Sequence, residues 1–460
     1  MTPDWVLAGA RLIACFVFAY PIVMAVVWIV GGLWFWWRRE RRGAEEDPDS
    51  AWPEVTVLVP CHNEAAGLGG TLRALAALDY PDYRVLFIDD ASTDGTARVI
   101  REALDGESRF HLLRLSTNLG KAGALNAALE LVRTPLIVVL DSDTIPRRDC
   151  LRPLAAPFLR QPRLGAVTAN PLPLNRSGFL ANLQTAEFAS IIGLIKRSQR
   201  TWGRIFTVSG CCTAYRTEAL RRVGGFSPAT ATEDIDVTWR LQRDAWEIWF
   251  EPRAVVRIQV PVRLPDYWRQ RRRWALGGWH ALRTHRDVLT RWRWRRLWPI
   301  YVDFVLAYAW GFCFVAVCLF WLGSRLLGWP PGPASPVPAW HGAVASLVCL
   351  AQISTAALVN HRYDPGLKTS LFWVPWYPLL FFATGAFLAV STASRGLFGT
   401  LDLAGRWRSP PREAGPGGEA GGGDQGGRGE RGGLGERGGR GGRGGRRGRL
   451  YLGPMAGRAG

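Results

Sequence analysis

Lysine is nearly absent from this 460-residue chain, which has only Lys121, Lys196 and Lys368 among its 57 basic residues. All the others are arginines, and with 38 acids the formal net charge is +19. Such a charge by itself suggests a nucleic-acid-binding protein. However, 48% of the residues are hydrophobic and 23 are tryptophan. This composition excludes a wholly disordered chain and favours a membrane protein with a basic cytoplasmic face.

Two further features are missing from the sequence. The eight cysteines are not spaced as zinc ligands, and several lie in apolar runs. We therefore expect neither a disulfide framework nor a zinc site. A glycine-rich phosphate-binding turn is also missing after the first predicted strand, which argues against a dinucleotide-binding domain.

The first 42 residues have the pattern of a membrane anchor. Residues 5–37 contain a single charge, Arg11, and a basic cluster follows at 38–42. This apolar run is longer than that of a signal peptide and long enough to span a bilayer. The positive-inside rule then places its end, and the chain after a linker at 43–54, in the cytoplasm. A cleaved export signal is the alternative interpretation.

Residues 55–262 have the alternating pattern of an α/β domain. Apolar strand patterns at 55–60, 84–89 and 135–140 are separated by segments of helical length, including 121–132. Strands that alternate with helices predict βαβ units and a parallel sheet.

The remaining chain divides into a basic belt, apolar segments and a tail. In residues 263–297 arginine alternates with tryptophan, which fits an amphipathic region at the membrane surface, although nucleic acid could bind the same mixture. Apolar segments follow within 298–400, at about 298–327, 340–360 and 371–392. Because prolines could break the last of these, the predicted total is three or four spans. The Gly/Arg-rich residues 401–460 are expected to be disordered.

Polar groups follow the predicted strands at their carboxyl ends, where ligands bind in open α/β sheets. These groups are Pro60 to Glu64, Asp89 to Asp94, and Asp141-Ser142-Asp143. Alternation would place Asp141 and Asp143 on one side, where they can hold a divalent cation that bridges a diphosphate. Lys121 opens a predicted helix, where a compact cation suits an anionic or uridine-like ligand. Each motif could also be an ordinary polar turn.

Two more motifs precede the apolar segments. Thr232-Glu233-Asp234 opens a helix, and a carboxylate there could act as general base toward a sugar hydroxyl. Thr232 as a helix cap with acids in the first turn explains the same residues without catalysis. Gln270-Arg271-Arg272-Arg273-Trp274 lies in the basic belt. It could bind a diphosphate and a sugar ring, or serve only as membrane interface.

These motifs, in this order and followed by membrane spans, resemble the processive family 2 glycosyltransferases. That family includes cellulose, chitin, hyaluronan and poly-N-acetylglucosamine synthases, and the matches are Asp141-Ser142-Asp143, Thr232-Glu233-Asp234 and Gln270-x-x-Arg273-Trp274. The stretches most similar to the bacterial poly-β-1,6-N-acetyl-D-glucosamine synthases are 28–32, 187–200, 205–210, 371–378 and 406–410. Ser142 stands where glycine is common in that group, but the middle residue is not a ligand.

The resemblance implies a GT-A-like α/β nucleotide-sugar transferase domain embedded in an α-helical transmembrane protein with interfacial amphipathic helices. It implies an inner-membrane enzyme with a cytoplasmic catalytic domain, which polymerises N-acetylglucosamine from UDP-N-acetylglucosamine for biofilm matrix and couples synthesis to export. The expected cofactor is Mg²⁺ or Mn²⁺, and a small membrane subunit, linked in some relatives to cyclic di-GMP, is an expected partner. A hyaluronan-, chitin- or cellulose-like product is one alternative. A membrane-tethered scaffold that binds nucleic acid through the tail is another, although no nucleic-acid partner is expected.

The resemblance also assigns roles to individual residues. Donor binding falls to Pro60, Glu64, Asp90, Lys121 and Asp141. Asp143 would hold the metal together with Asp141, and Asp234 would be the catalytic base. Contacts with the acceptor and the diphosphate are assigned to Gln270, Arg273, Trp274, Gly210, Cys211, Cys212 and Glu233.

Overall fold

The computed structural model describes residues 4–41, 51–327, 340–399 and 449–452. Most of the linker 43–54 and most of the tail 401–460 lie outside these residues, so the expectations for them stay predictions. The described chain forms one mixed sheet with helices on both faces, joined to several long apolar helices.

Nine strands form the sheet. They are β1 Val55–Cys61, β2 Tyr83–Asp89, β3 Phe110–Arg114, β4 Leu136–Leu140, β5 Ile145–Pro146, β6 Leu164–Pro173, β7 Cys212–Arg216, β8 Glu247–Ile258 and β9 Arg449–Leu452. Their order is β5-β8-β6-β7-β4-β1-β2-β3-β9. The run β4-β1-β2-β3 is parallel, as predicted. The other half is mixed, because β7 is antiparallel to β4 and β6, and β5 is antiparallel to β8.

Strand β9 lies in the tail that was expected to be disordered. Its backbone pairs antiparallel with β3, with Leu450 opposite Leu113 and Tyr451 opposite Leu112. At these four residues the expectation of disorder is wrong. The short run Leu450-Tyr451-Leu452 interrupts the Gly/Arg composition, and the unpaired edge of β3 offers hydrogen bonds to such a segment.

The helices complete the fold. They are α1 Asp4–Phe35, α2 Leu68–Ala76, α3 Thr96–Leu104, α4 Gly120–Leu129, α5 Leu151–Arg160, α6 Gly178–Phe188, α7 Lys196–Trp202, α8 Thr217–Arg222, α9 Glu233–Arg243, α10 Leu264–Thr284, α11 Trp298–Leu326, α12 Trp340–Asn360, α13 Leu367–Ser370 and α14 Tyr377–Phe398. Trp36–Glu40 and Ala189–Ile195 are π-helical, and the 3₁₀ segments are Arg286–Thr290, Trp292–Leu297 and Leu371–Trp376.

Both faces of the sheet are buried. Residues such as Val57 and Val138 pack on one face with α2, α3 and α5, and residues such as Leu58 and Val139 pack on the other with α4 and α8. Because successive side chains of a strand point to opposite faces, a sheet covered on both sides needs continuous apolar runs. This requirement explains the strand patterns that the sequence shows.

Five helical segments are long and apolar enough to cross a membrane. They are Ala8–Glu40, Gly178–Trp202, Trp292–Leu326, Ala343–Asn360 and Leu380–Phe398. Four overlap the predicted segments, but Gly178–Trp202 was not predicted. Of its most apolar window 61% is buried, compared with 6% for Ala8–Glu40. It packs against α1 and α12, so protein covers much of the surface that lipid would otherwise contact.

The basic belt connects the sheet to the apolar helices. Helix α10 packs along α14, and the two 3₁₀ segments follow it before α11 begins. The predicted segment 371–392 is divided at Tyr377, with Pro375 inside the 3₁₀ segment and Pro378 in the first turn of α14. Proline fits the first turn of a helix because the N–H it lacks would have no partner there.

Candidate active site

The carboxyl ends of β1, β2 and β4 lie at one edge of the sheet, where most predicted donor-binding residues are found. Pro60 lies within β1. Glu64 is buried in the turn before α2, and its N–H donates to the Thr96 hydroxyl at 2.8 Å. Asp90 follows β2 directly and is fully buried, and its N–H donates to the Cys61 carbonyl at 2.9 Å. The fold therefore places Asp90 beside the end of β1.

Asp90 also holds the loop that leads into α4. Its Oδ1 accepts the N–H of Leu119 at 2.7 Å. Burial raises the pKa of Asp90, and the backbone N–H groups of Leu119 and Gly120 oppose that rise. Its Oδ2 is buried and has no hydrogen-bond partner among the described residues. The next residue, Ala91, has φ 55°, and such strained backbone is often found at binding sites.

Lys121 joins three of the predicted site residues. Its Nζ lies 2.6 Å from Asp141 Oδ1 and 3.0 Å from Glu233 Oε1, and it donates to the Gly210 carbonyl at 3.1 Å. Burial disfavours the charged lysine, but the two carboxylates hold the pKa of Lys121 above its usual value. An ammonium group has three donors and no preferred plane, which suits three oxygens from three separate elements.

Asp141 and Asp143 form the site that fits a metal. They follow β4 in a turn closed by the Thr144 N–H, which donates to the Asp141 carbonyl at 3.0 Å. The turn, and not strand alternation, therefore sets their directions. Burial raises the pKa of Asp141, the Lys121 charge opposes this rise, and the Asp143 charge adds to it.

Two carboxylates suit Mg²⁺ or Mn²⁺ when phosphate oxygens of a substrate complete the coordination. In the described part of the chain, no group of three or more His, Cys, Asp or Glu side chains is placed to hold a metal by itself. The donor set of Asp141 and Asp143 therefore fits an ion that binds together with a phosphorylated substrate.

Asp234 lies in the first turn of α9, directly against Gly210. A Cβ added to Gly210 would lie 2.9 Å from Asp234 Oδ2. The other carboxylate oxygen, Oδ1, accepts the N–H of Ile235 at 2.9 Å. Gly210 thus leaves open the space in front of a carboxylate whose orientation is fixed by the backbone.

The two adjacent acids of this motif have opposite pKa shifts. Burial and the Glu233 charge raise the pKa of Asp234 to about 6, against the opposing charges of Lys121 and Arg273. Burial favours a higher pKa for Glu233 too, but the charges of Lys121 and Arg273 outweigh it and lower the pKa of Glu233 below its usual value. Glu233 therefore stays ionised and paired, while Asp234 is suited to proton transfer. Thr232 occupies the N-cap position of α9, but its side chain makes no capping hydrogen bond.

The two cysteines after Gly210 have different surroundings. Cys211 is half-buried, and its carbonyl accepts the N–H of Asp141 at 3.0 Å, so it borders the site. Cys212 opens β7, is 1% exposed, and packs in the core with Cys150. The structure thus places Cys212 in the core of the sheet, and its assigned role on the acceptor side stays a prediction.

Helix α10 brings the motif of the basic belt to the site. Arg273 is exposed, and its Nη1 lies 3.5 Å from the Ala231 carbonyl, just before the Glu233–Asp234 pair. Gln270 Oε1 is buried without a hydrogen-bond partner among the described residues. Trp274 is half-buried and packs against α6 and the chain after β8. Arg273 is thus the member of this motif that is best placed to contact an anionic ligand.

Arg271 was not predicted to have a role. Its two terminal nitrogens donate to the two oxygens of Glu187, each at 2.7 Å. Its guanidinium also lies 4.8 Å from the ring centre of Tyr267 and 4.3 Å from that of Trp274. The pair fixes α10 to α6. Nothing in the local sequence identifies a partner 84 residues away.

Lys196 was also missed. It is 5% exposed, and its Nζ donates to Ser209 Oγ at 2.6 Å and to Thr168 Oγ1 at 3.5 Å. Ser209 precedes Gly210, so Lys196 and Lys121 hold two consecutive residues of the loop beneath Asp234. The scarcity of lysine was the signal that could have identified this residue.

Comparison with known proteins identifies the family. A family model described as "Glycosyltransferase like family 2" matches residues 53–277. The chain is 32% identical to the poly-beta-1,6-N-acetyl-D-glucosamine synthase of Staphylococcus aureus (strain COL), over 86% of this chain and 98% of that protein. It is 30% identical to the protein of the same name from Staphylococcus epidermidis, again over 86% and 98%.

A solved structure has a similar fold. A mannosyltransferase from Pyrobaculum calidifontis in complex with GDP-Man and Mn²⁺ has a TM-score of 0.51, with 83% of this chain and 99% of that chain covered. At 22% identity this likeness shows the fold alone. It confirms the prediction of a GT-A-like domain in a chain with apolar helices that could cross a membrane. By its sequence, the chain belongs to glycosyltransferase family 2.

Proposed function

We propose that this chain is a processive, inverting β-glycosyltransferase that polymerises N-acetylglucosamine from UDP-N-acetylglucosamine into poly-β-1,6-N-acetylglucosamine. The observation that carries this proposal is the linked cluster of Lys121, Asp141 and Glu233, with Asp234 beside it. The names of relatives at 30 and 32% identity support the choice of sugar and linkage.

The donor binds at the carboxyl edge of the sheet. The buried Asp90 Oδ2, without a partner among the described residues, accepts the imide N–H of uracil, and Pro60 and Glu64 lie alongside. Asp143 and Asp141 would hold Mg²⁺ or Mn²⁺, which when bound supplies charge neutralisation for a departing diphosphate. Arg273 is exposed and can bind diphosphate oxygens with two parallel hydrogen bonds.

Asp234 performs the proton transfer. It takes the proton of the acceptor's 6-hydroxyl as that oxygen forms a bond to the anomeric carbon. The bond from that carbon to the UDP oxygen breaks, and its electron pair leaves with UDP. One displacement converts the α-linked donor into a β-linked product. A pKa of about 6 keeps Asp234 mostly ionised at neutral pH, as a general base requires.

The position of the site supports the proposal that synthesis is processive and coupled to export. Helix α10 carries Gln270, Arg273 and Trp274 and packs along the apolar helix α14, so a growing chain can pass from the acceptor site toward the membrane helices. The proposed enzyme lies in the inner membrane with its catalytic domain in the cytoplasm, and the candidate membrane-spanning helices support this part of the proposal. A purified protein that makes only single additions, with its normal partners present, would contradict this part of the proposal.

The function is tested by one assay in membranes. Membranes that contain the chain, supplied with UDP-N-acetylglucosamine and Mg²⁺, should form a polymer that a β-1,6-N-acetylglucosaminidase degrades. Asp234→Asn should abolish the polymer. Asp244→Asn is the matched control, because Asp244 follows the same helix at its far end and pairs with Arg222 at 2.7 Å. Full activity of Asp234→Asn would show that Asp234 is not the catalytic base.

The product and the partners need separate arms. Membranes supplied with single labelled UDP-sugars distinguish poly-N-acetylglucosamine from hyaluronan-, chitin- or cellulose-like polymers. Polymer yield with and without a small membrane subunit, and with and without cyclic di-GMP, tests the expected partner. Removal of residues 411–460 tests the alternative scaffold function, because an unchanged yield of polymer would show that this tail is dispensable.

A further inference from the structure

A cavity of about 500 Å³ lies between α10, α11 and α14, and its lining includes none of the active-site residues described above. Its wall includes Trp279, Tyr301 and Tyr308, and two arginines, Arg283 and Arg286, line it as well. We propose that this cavity binds an anionic phospholipid, with acyl chains against the aromatic wall and the phosphate at the two arginines. This proposal does not depend on the sugar that the enzyme transfers.

The aromatic wall of the cavity is apolar and has no free hydrogen-bond donor on Trp279, Tyr301 or Tyr308. The Trp279 N–H donates to a carbonyl of α14 at 3.0 Å. The hydroxyls of Tyr301 and Tyr308 each donate to a carbonyl of α10 at 2.8 Å. Their N–H and O–H donors are already used inside the protein, so these side chains have none left for a ligand in the cavity. Such a wall favours a hydrocarbon chain over a sugar or a nucleotide.

The two arginines supply the opposite chemistry. Arg283 donates one N–H to the Gly399 carbonyl at 2.8 Å, which leaves further donors on the guanidinium. Arg286 is exposed, and the neighbouring Asp287 is paired with Arg243 at 2.7 Å. Within the described ranges neither Arg283 nor Arg286 has a carboxylate partner. Two uncompensated guanidinium groups beside an apolar wall suit a phosphate attached to acyl chains.

The position of the cavity favours a lipid as the occupant. Both α11 and α14 are apolar enough to cross a membrane. At the cavity, Val305 is 41%, Phe312 42% and Phe398 84% exposed, so the apolar wall continues onto surfaces that would face acyl chains. The arginines belong to the basic belt, where a headgroup of the cytoplasmic leaflet would lie. An anionic lipid satisfies both ends of the cavity at once.

The cavity is connected to the active site through one helix. Helix α10 carries Gln270, Arg273 and Trp274 in its first half, and Arg283 lies in its last turn. A lipid bound at Arg283 and Arg286 would hold this helix against α11 and α14. The rim of the active site would then be fixed by a group in the bilayer.

The test uses the full chain in nanodiscs of phosphatidylcholine, with or without phosphatidylglycerol. Binding is measured as the increase in the thermal unfolding midpoint and as lipid retained on purification. We expect phosphatidylglycerol to stabilise the wild-type chain. The affinity of the chain for phosphatidylglycerol should fall about fivefold for each arginine removed, in Arg286→Gln and in the double variant Arg283→Gln/Arg286→Gln. The matched control is Arg291→Gln/Arg295→Gln, because these arginines lie in the same belt and stack on Trp294 and Trp292.

Two results would overturn the proposal. The first is an equal loss of affinity in the control and in Arg283→Gln/Arg286→Gln, which would show only a general attraction of the lipid to the basic belt. The second concerns Ala309, which lines the apolar end of the cavity. Ala309→Phe should fill the cavity and reduce retained lipid without a change of charge, so retention equal to that of the wild type would overturn the proposal. A photo-reactive p-benzoylphenylalanine at position 309 should attach to phospholipid. Attachment to residues 400–448 would show that the chain itself occupies the cavity.

Discussion

Replacing Gly210 with alanine tests the placement of the Asp234 carboxylate without removing it. An added Cβ would lie 2.9 Å from Oδ2 and 3.3 Å from Cγ of Asp234, so Oδ2 must retreat by about 0.5 Å to reach ordinary contact at 3.4 Å. Rotation of the side chain is opposed by the hydrogen bond from Ile235 N–H to Oδ1 at 2.9 Å, which contributes about 0.5–1.5 kcal/mol. Since a displacement of about 1 Å can lower a rate by about 10²-fold, we expect kcat to fall by about 10- to 100-fold.

The assay follows UDP release and polymer formation in membranes, with thermal unfolding measured on the same preparations. Gly210 has an ordinary backbone conformation, so alanine should fold without backbone strain. Gly69→Ala is the matched control, because its Cβ would meet nothing closer than Arg73 Nη1 at 3.6 Å. A kcat for Gly210→Ala equal to that of Gly69→Ala, at equal stability, would refute the placement of the base.

Three further predictions concern charge. The pKa of Asp234 is raised to about 6, so its carboxylate is protonated below that pH. We therefore expect kcat to rise with pH through about 6 and then to level off. A pH–rate profile in which kcat does not fall at acidic pH would contradict this prediction. Lys121→Arg should lower kcat/KM about tenfold or more, because a planar guanidinium cannot reach the oxygens of Asp141, Glu233 and Gly210 together, and each charge-assisted hydrogen bond contributes ~1.5–3 kcal/mol. Lys368→Arg, at an exposed position, is its control. Arg271→Met should lower the free energy of unfolding by ~3–5 kcal/mol, since it leaves the buried Glu187 carboxylate unpaired, and Glu187→Met/Arg271→Met should recover part of that loss in a denaturant titration.

Local patterns predicted the local structure of this chain well. The strand pattern at 84–89 corresponds to Tyr83–Asp89, and the helix predicted at 121–132 corresponds to Gly120–Leu129. Apolar alternation and the polar residues that end it are properties of consecutive positions, so a sequence displays them directly. Of the residues bonded to Lys121, Asp141 came from a motif at a strand end and Glu233 from a motif that opens a helix, whereas Gly210 came from the family resemblance. Their catalytic roles remain predictions.

Long-range contacts were beyond the reach of those patterns. The antiparallel insertion of β7 between β4 and β6 joins segments whose own sequences do not specify a partner. Gly178–Trp202 lies within the predicted α/β domain of residues 55–262 and contains Glu187, Lys196 and Arg197. Those charges are satisfied by residues from distant elements, as in the bond from Arg197 Nε to Glu40 Oε1 at 2.6 Å. The most apolar window of Gly178–Trp202 is apolar enough to cross a membrane, but it is less apolar than that of Ala8–Glu40, and much of it is buried inside the protein.

The near absence of lysine has a physical explanation in the fold. Arginine is found where its planar guanidinium can pack on aromatic rings, as that of Arg271 does against Tyr267 and Trp274. Lys121 and Lys196 stand instead in enclosed sites, where the ammonium groups meet oxygens from different directions and a guanidinium would need a flat space. Both hold the Ser209–Gly210 loop, which fixes the surface against which Asp234 rests. The position of the proposed base therefore depends on two compact cations, which occupy sites whose geometry does not suit a guanidinium.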